Sequence, residues 1–182
     1  MKLKKTTGVW LAIALALGGF VYWFEVVESE KSQLLEAKQR LLFHFTPEEI
    51  KTITIETSNR TIVLERQSHD PPQWVIKQPE EVPAATPSVM FLINLLVTAQ
   101  SNRNFSVAST QKSDYGLDQP TAIVNIELYN QRLHQLILGQ IHRDENQIYA
   151  QIDPNQEEMV TVSLLPITFY YAITRDLREW KQ

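Results

Sequence analysis

The segment that most restricts how this chain can fold lies within its first 27 residues. Residues 8–24, GVWLAIALALGGFVYWF, carry no charge, and they are preceded by three lysines and followed by Glu25. Together with its uncharged flanks, this run is long enough, at about 1.5 Å per residue, to cross a hydrocarbon core of about 30 Å as a helix. The sequence therefore predicts a transmembrane helix within residues 1–27.

Aromatic residues at both ends of the run support this assignment. Trp10 lies near its start, and Tyr22, Trp23 and Phe24 lie at its end. Trp and Tyr side chains are enriched at both membrane interfaces, so these four residues are the expected membrane anchor in the lipid bilayer.

A cleaved signal peptide is the competing interpretation, because export signals also have a basic start and an apolar run. Signal cleavage requires small residues at the end of the run, whereas this run ends in three bulky aromatic residues followed by Glu25. We therefore expect the helix to be retained. The positive-inside rule then places the lysines in the cytoplasm and the rest of the chain on the far side of the membrane.

Composition excludes several classes of protein. The chain has no cysteine, which rules out disulfides, thiolate zinc sites and iron–sulfur clusters. Three of the 17 basic residues precede the apolar run, so the chain beyond it has 14 basic and 21 acidic residues. An acidic domain without a cluster of Lys or Arg has no electrostatic footprint for nucleic acid.

Beyond the anchor, the pattern indicates a stalk and one domain. Residues 28–46 contain no Gly, have Pro only after their end, and place Leu34, Leu35, Leu41 and Leu42 on one helical stripe, as in a helical stalk. Residues 47–182 then form one exocytoplasmic domain, with halves 47–102 and 103–182. In this division, residues 1–27 are the cytoplasmic basic tip and the transmembrane anchor.

Alternating β-branched runs predict strands in both halves. The first half has Thr52–Glu56, Thr61–Arg66 and Trp74–Lys77, and the second has Thr121–Tyr129, Leu133–Gly139, Ile148–Ile152 and Met159–Leu164. An apolar helix follows the strands in each half, one beginning at Thr86-Pro87 and one at Pro166. The predicted class is α+β, with antiparallel sheets packed on two apolar helices in a duplicated sheet-plus-helix module.

The first of these helices is apolar on nearly every side, so a second membrane span has to be considered. Its apolar stretch, Val89–Val97, is nine residues long and includes Asn94. Such a stretch extends only about 14 Å, so we expect a buried helix against which the sheet packs. Asn94 then needs a hydrogen-bond partner.

A compact turn at Asp114, Tyr115, Gly116, Leu117 and Asp118 is the best candidate for a partner-facing loop. Gly116 suits a positive φ, and loops carry binding more often than cores do. Capping of backbone N–H groups by the two aspartates is the simpler explanation of this turn.

The sequence contains no motif of catalysis or metal binding. His134 and His142 could meet across a hairpin, where Asp144 or Glu145 would complete a weak metal site, but we expect surface histidines in polar turns instead. We therefore expect no enzyme activity, no cofactor and no metal.

Several segments together resemble domain of unknown function family 4340. They are the basic start and anchor, Trp74-Val75-Ile76-Lys77-Gln78-Pro79, the helix containing Leu92–Leu96, Tyr115-Gly116-Leu117-Asp118-Gln119-Pro120, and Arg178–Lys181. The similarity is greatest to short, membrane-anchored cyanobacterial members. It implies no catalytic residues, a plasma or thylakoid membrane, and, from relatives similar to proteins encoded beside ABC-type transporters, an accessory role in export.

These features favour a non-catalytic accessory or scaffold subunit with an interaction domain beside a membrane protein complex. One alternative is a binding module for a small or lipidic ligand, held between the helices and the sheets. A hydrolase without a recognisable motif is a third hypothesis.

Overall fold

The computed structural model describes residues 41–101, 103–155 and 157–182. Leu41–Gln182 form one compact unit. In these ranges no helix is both long enough and apolar enough to cross a membrane. The predicted anchor, with Trp10, Tyr22, Trp23 and Phe24, lies outside the described residues.

The domain is built on one antiparallel sheet with the strand order β4-β3-β2-β1-β6-β7-β8-β9-β5. The α+β class is confirmed, but a single nine-stranded sheet replaces the separate sheets that the sequence predicts. The strands are β1 (Ile50–Thr57), β2 (Arg60–His69), β3 (Pro72–Gln78), β4 (Val82–Pro83), β5 (Arg103–Ala108), β6 (Ala122–Leu128), β7 (Leu133–Ile141), β8 (Gln147–Ile152) and β9 (Met159–Pro166). The helices are α1 (Thr86–Thr98) and α2 (Thr168–Thr174), with 3₁₀ helices η1 (Pro47–Glu49), η2 (Ser109–Tyr115) and η3 (Leu177–Trp180).

Alternation of apolar and polar residues gives the sheet two different faces. On β1 and its neighbour β6, Ile53 lies opposite Ile126 and Ile55 lies opposite Val124, and all four side chains are buried. The residues between them, including Thr54 and Asn125, point to the other side, because successive side chains of a strand alternate between faces. We call these two sides the helix face and the open face.

The main core fills the helix face. Val89, Leu92, Ile93 and Leu96 of α1 and Phe169, Ala172 and Ile173 of α2 are buried in one cluster with the inward side chains of the sheet. The prediction that α1 is a core helix rather than a membrane span is confirmed. Its outer side is solvent-accessible, since Asn94 and Phe91 are exposed, so Asn94 does not need the buried partner that the sequence suggested.

Residues 41–46 correct the end of the predicted stalk. They form no helix; instead Leu41 bridges to Gln100, and the Leu42 N–H donates to the Ala99 carbonyl at 3.1 Å. Phe43 is only 1% exposed and stacks on Phe45 at 5.2 Å between ring centroids. The leucine and phenylalanine side chains pack on the main core. Burying these apolar side chains stabilises the extended segment more than a solvent-exposed helix would be stabilised here. The rest of the stalk lies outside the described residues.

A buried arginine fixes the chain where it enters β1. Arg66 Nε donates to the Ile50 carbonyl at 2.9 Å, Nη2 donates to the Pro47 carbonyl, and the guanidinium lies 4.6 Å from the Trp74 ring centroid. Burial lowers the pKa of Arg66 from its ordinary value, partly offset by the charges of Tyr129 and Glu48. The cation therefore acts as a backbone clamp.

The sequence does not predict two of the strands, β4 and β5, for the same reason. β4 has two residues and contains Pro83, while β5 has one buried side chain, Val107, among polar and partly exposed neighbours. Edge strands bury little, so their sequences lack the apolar alternation that marks inner strands. The second helix also starts later than predicted, because Pro166 ends β9 and α2 begins at Thr168.

We expect Phe43→Ala to lower the free energy of unfolding by about 3–5 kcal/mol, because it removes a fully buried ring. Phe91→Ala is the matched control, since Phe91 is 46% exposed, and it should cost about 1 kcal/mol. Chemical unfolding of the full chain, followed by tryptophan fluorescence, measures both values. Equal losses would show that residues 41–46 do not belong to the core.

Candidate interaction surface

The predicted partner-facing turn begins within the last two residues of η2 and lies on the open face near β5, β7, β8 and β9. η2 ends at Gly116, which has φ of 68° and donates its N–H to the Ser113 carbonyl at 3.1 Å. Glycine is the residue that takes this left-handed conformation without a steric penalty, as the sequence predicts for Gly116. The Leu117 N–H donates to the Lys112 carbonyl at 3.0 Å and completes the turn.

Close backbone contact locks this turn onto β7. A Cβ atom added at Gly139 would lie 2.1 Å from the Tyr115 carbonyl oxygen, so only glycine allows the two chains to approach this closely. Gln140 Nε2 donates to the Asp114 carbonyl at 2.6 Å. The turn is therefore fixed to the sheet by its backbone.

The apolar side chains of the turn form a second, smaller core. Leu117 is buried with Val107, Val160 and Val162, and the Tyr115 ring lies 5.4 Å from Phe105 and 5.0 Å from Tyr149 between centroids. The turn residues Tyr115, Gly116 and Leu117 thus cover the open face of the sheet over β5, β7, β8 and β9. The sequence does not predict this structural role.

The two aspartates of the turn remain exposed to solvent. Asp118 Oδ1 accepts the Gln119 N–H at 2.9 Å, which agrees with the capping explanation for this residue. Asp114 takes part through its carbonyl oxygen rather than its carboxylate. Contact between this turn and a partner stays a prediction.

Next to the turn, the open face of the central strands β2, β1, β6 and the start of β7 is not covered by the described residues. Its side chains are Thr54, Glu56, Val63, Ile123, Asn125 and Gln135, all exposed or partly exposed. Gln135 Nε2 donates to Asn125 Oδ1 at 2.6 Å, and Asn125 Nδ2 donates to Glu56 Oε1 at 2.9 Å. This hydrogen-bonded row spans three adjacent strands and holds its polar groups in a fixed arrangement.

A salt bridge joins the start of β1 to the end of β6. Lys51 Nζ is 2.8 Å from Glu127 Oε1, and the hydrogen bond and charge of Glu127 raise the pKa of Lys51. In the same way, Glu81 raises the pKa of Lys77, whose Nζ lies 2.6 Å from Glu81 Oε1. Such exposed pairs contribute little stability, so their main effect is on the charge pattern of the surface.

His134 and His142 do not meet, so the metal-site alternative is not supported by their positions. The two histidines lie at opposite ends of β7, His134 near its start and His142 just beyond its end. His134 Nδ1 lies 2.8 Å from Asp153, and its ring packs on Phe43 and Phe45 at 5.5 and 5.2 Å. Among the described residues, no group of three His, Asp or Glu side chains is arranged to hold a metal ion.

His142 pairs with Asp144 as the sequence suggested, but without a second histidine. Nδ1 lies 3.0 Å from Asp144 Oδ1, and the hydrogen bond from His142 lowers the pKa of this carboxyl. Both groups lie in the exposed β7–β8 turn, where the backbone of Asn146 also donates to Asp144 at 3.1 Å. The pair therefore shapes a turn.

In comparisons with family models, with curated proteins and with solved structures, no significant match to this chain is found. Membership of family 4340 stays a prediction from the residues quoted for it.

We expect Gly139→Ala to destabilise the protein by about 1–3 kcal/mol, because the added methyl group overlaps the Tyr115 carbonyl. Gln140→Ala is the control at the same contact, since it removes one hydrogen bond without a clash and should cost about 0.5–1.5 kcal/mol. Hydrogen exchange at the Leu117 amide should become faster in Gly139→Ala. Unchanged exchange and stability would contradict the locked turn.

Proposed function

We propose that this chain is a membrane-anchored, non-catalytic accessory or scaffold subunit. Its domain would stand in the periplasm or lumen beside a membrane protein complex, such as an ABC-type export system. The apolar run of residues 8–24 and the resemblance to family 4340 support the placement. The resemblance to cyanobacterial members supports a plasma or thylakoid membrane.

The half-covered sheet is the observation that carries the interaction role. The helix face is filled by α1, α2 and residues 41–46, whereas the turn and η2 cover the open face only toward its β5 edge. The remaining polar row of Glu56, Asn125 and Gln135 is held in place by its own hydrogen bonds. A partner that meets such a surface loses little side-chain entropy on binding, which favours recognition.

The order of elements also supports an internal duplication. Apart from the edge strand β5, each half has four antiparallel strands followed by an apolar helix: β1–β4 by α1, and β6–β9 by α2. The first strand of each four-stranded set, β1 or β6, lies at the centre of the sheet, and the two are paired antiparallel. We infer that the domain arose from two sheet-plus-helix modules joined along these strands.

The alternative function, a module for a small or lipidic ligand, needs space between the helices and the sheet. In the described residues that region holds buried side chains, among them Trp74, Phe169 and Trp180. A cleft of about 430 Å³ opens instead at the sheet margin, between Gln67, Gln73 and Thr86. The packed interior favours the scaffold role over this alternative.

The placement is tested by fractionating cells that produce the full, tagged chain. We expect the intact chain in the membrane pellet after a carbonate wash at high pH, because a spanning helix resists extraction that releases peripheral proteins. A mature protein that is soluble and starts beyond residue 27 would overturn the placement.

The interaction role is tested by detergent co-purification with Asn125→Arg. We expect this variant to lose its co-purifying membrane proteins at least about tenfold, because a long cation in the centre of the open face blocks close contact. Asn94→Arg is the matched control, since Asn94 is exposed on the outer side of α1. The proposal fails if wild type recovers no partner, or if both variants retain it equally while unfolding at the wild-type temperature.

A further inference from the structure

The two edges of the sheet are protected to different extents. At one edge, β4 has only two residues and includes Pro83. Residues 180–182 cover this edge, since the Ala85 N–H donates to the Trp180 carbonyl at 2.7 Å and the Gln182 N–H donates to the Pro83 carbonyl at 3.2 Å. At the other edge, β5 pairs with β9 over six consecutive residue pairs without a bulge. β5 contains neither proline nor lysine. Proteins normally blunt an unused edge with such devices, so β5 has the character of an edge that pairs.

The hydrogen-bond pattern shows which backbone groups of β5 point away from the sheet. The Ser109 N–H donates to the Glu158 carbonyl at 2.8 Å, which makes this a hydrogen-bonded pair. Such pairs alternate along an antiparallel ladder, so Val107, Phe105 and Arg103 also bond to β9, while Ala108, Ser106 and Asn104 point outward. The Ala108 N–H is occupied by Gln111 Oε1 at 3.2 Å. Among the described residues, the N–H and C=O groups of Asn104 and Ser106 are therefore the ones without a partner.

These groups are complementary to themselves. If two copies of β5 pair antiparallel with Phe105 opposite Phe105, Asn104 of each copy faces Ser106 of the other, and all their outward groups bond across the junction. Shifting the register to place Ser106 opposite Ser106 would require the Ala108 N–H, which Gln111 already holds. In the Phe105-centred register, Arg103 faces Val107 rather than another charge, and the two aromatic rings meet as a cross-strand pair.

We propose that the β5 edge binds the β5 edge of a second copy of this chain, forming one continuous sheet across a two-fold axis at Phe105. This inference does not depend on the proposed membrane role, although it agrees with it. The two-fold axis of an antiparallel strand pair is perpendicular to the sheet, so both helix faces lie on the same side of the dimer. Leu42 and Phe43 pack on that face, so both chains enter from the same side, as two chains anchored in one membrane require.

The absence of native cysteine allows a direct test by disulfide trapping in the full chain. In the Phe105-centred register, Phe105→Cys places its thiol opposite its own copy at a non-hydrogen-bonded position, where Cα atoms lie about 4.5 Å apart, within the range for a disulfide. After mild oxidation of membranes, we expect at least about tenfold more disulfide-linked dimer from Phe105→Cys than from Asn104→Cys or Ser106→Cys. In either control the new cysteine does not lie opposite its own copy, because Asn104 of one chain is paired with Ser106 of the other.

A second pair of variants keeps the proposal falsifiable if Phe105→Cys fails to fold. The double variant Asn104→Cys/Ser106→Cys should cross-link where neither single variant does. Ser106→Pro should weaken the dimer at least about tenfold in sedimentation of the detergent-solubilised chain, because it removes an outward N–H, whereas Ser106→Ala should not. Equal cross-linking at positions 104, 105 and 106, or a wild-type chain that sediments only as a monomer, would overturn the proposal. A soluble chain that still cross-links through Phe105→Cys would refute the membrane placement but not the dimer.

Discussion

The antiparallel pairing of β1 with β6 is the constraint on which the rest of the domain depends. Each half has its own strands and its own helix, but the two helices are buried in a single core that spans both halves. Pairing Ile53 with Ile126 and Ile55 with Val124 sets all the inward side chains on the same face. A slip of one residue at this junction would turn the apolar residues of one half toward solvent.

Segments outside the strands complete the two cores. Residues 41–46 close the main core with Phe43 and Phe45, and the clamp from Arg66 fixes the turn that follows them. On the other face, the turn at Gly116 closes the smaller core through Leu117 and Tyr115. Connecting segments that look like linkers in the sequence therefore supply part of the packing. The surface left open is the central part of the sheet, where the polar row lies.

The sequence predicts most inner elements because burial on one face leaves a periodic pattern. β1, β2, β3, β6, β7, β8, β9 and α1 all carry it, and their predicted positions agree with the structure to within a few residues. β5 and residues 41–46 do not follow it, since an edge strand buries little and an extended segment has no helical period to satisfy. The turn at Gly116 was found through its glycine and aspartates. Its role as a lock depends on Gly139, more than 20 residues away, and no local pattern reports such a contact.

The way in which residues 41–46 are held has a mechanical consequence. Any tension on the chain upstream of Leu41 is transmitted first to the bridge with Gln100 and the hydrogen bond between Leu42 and Ala99, and then to the buried Phe43. A pulling force at this point therefore has to remove the buried Phe43 side chain from the hydrophobic core. If force is applied to the chain at this point, the first mechanical failure exposes the core between α1 and the sheet.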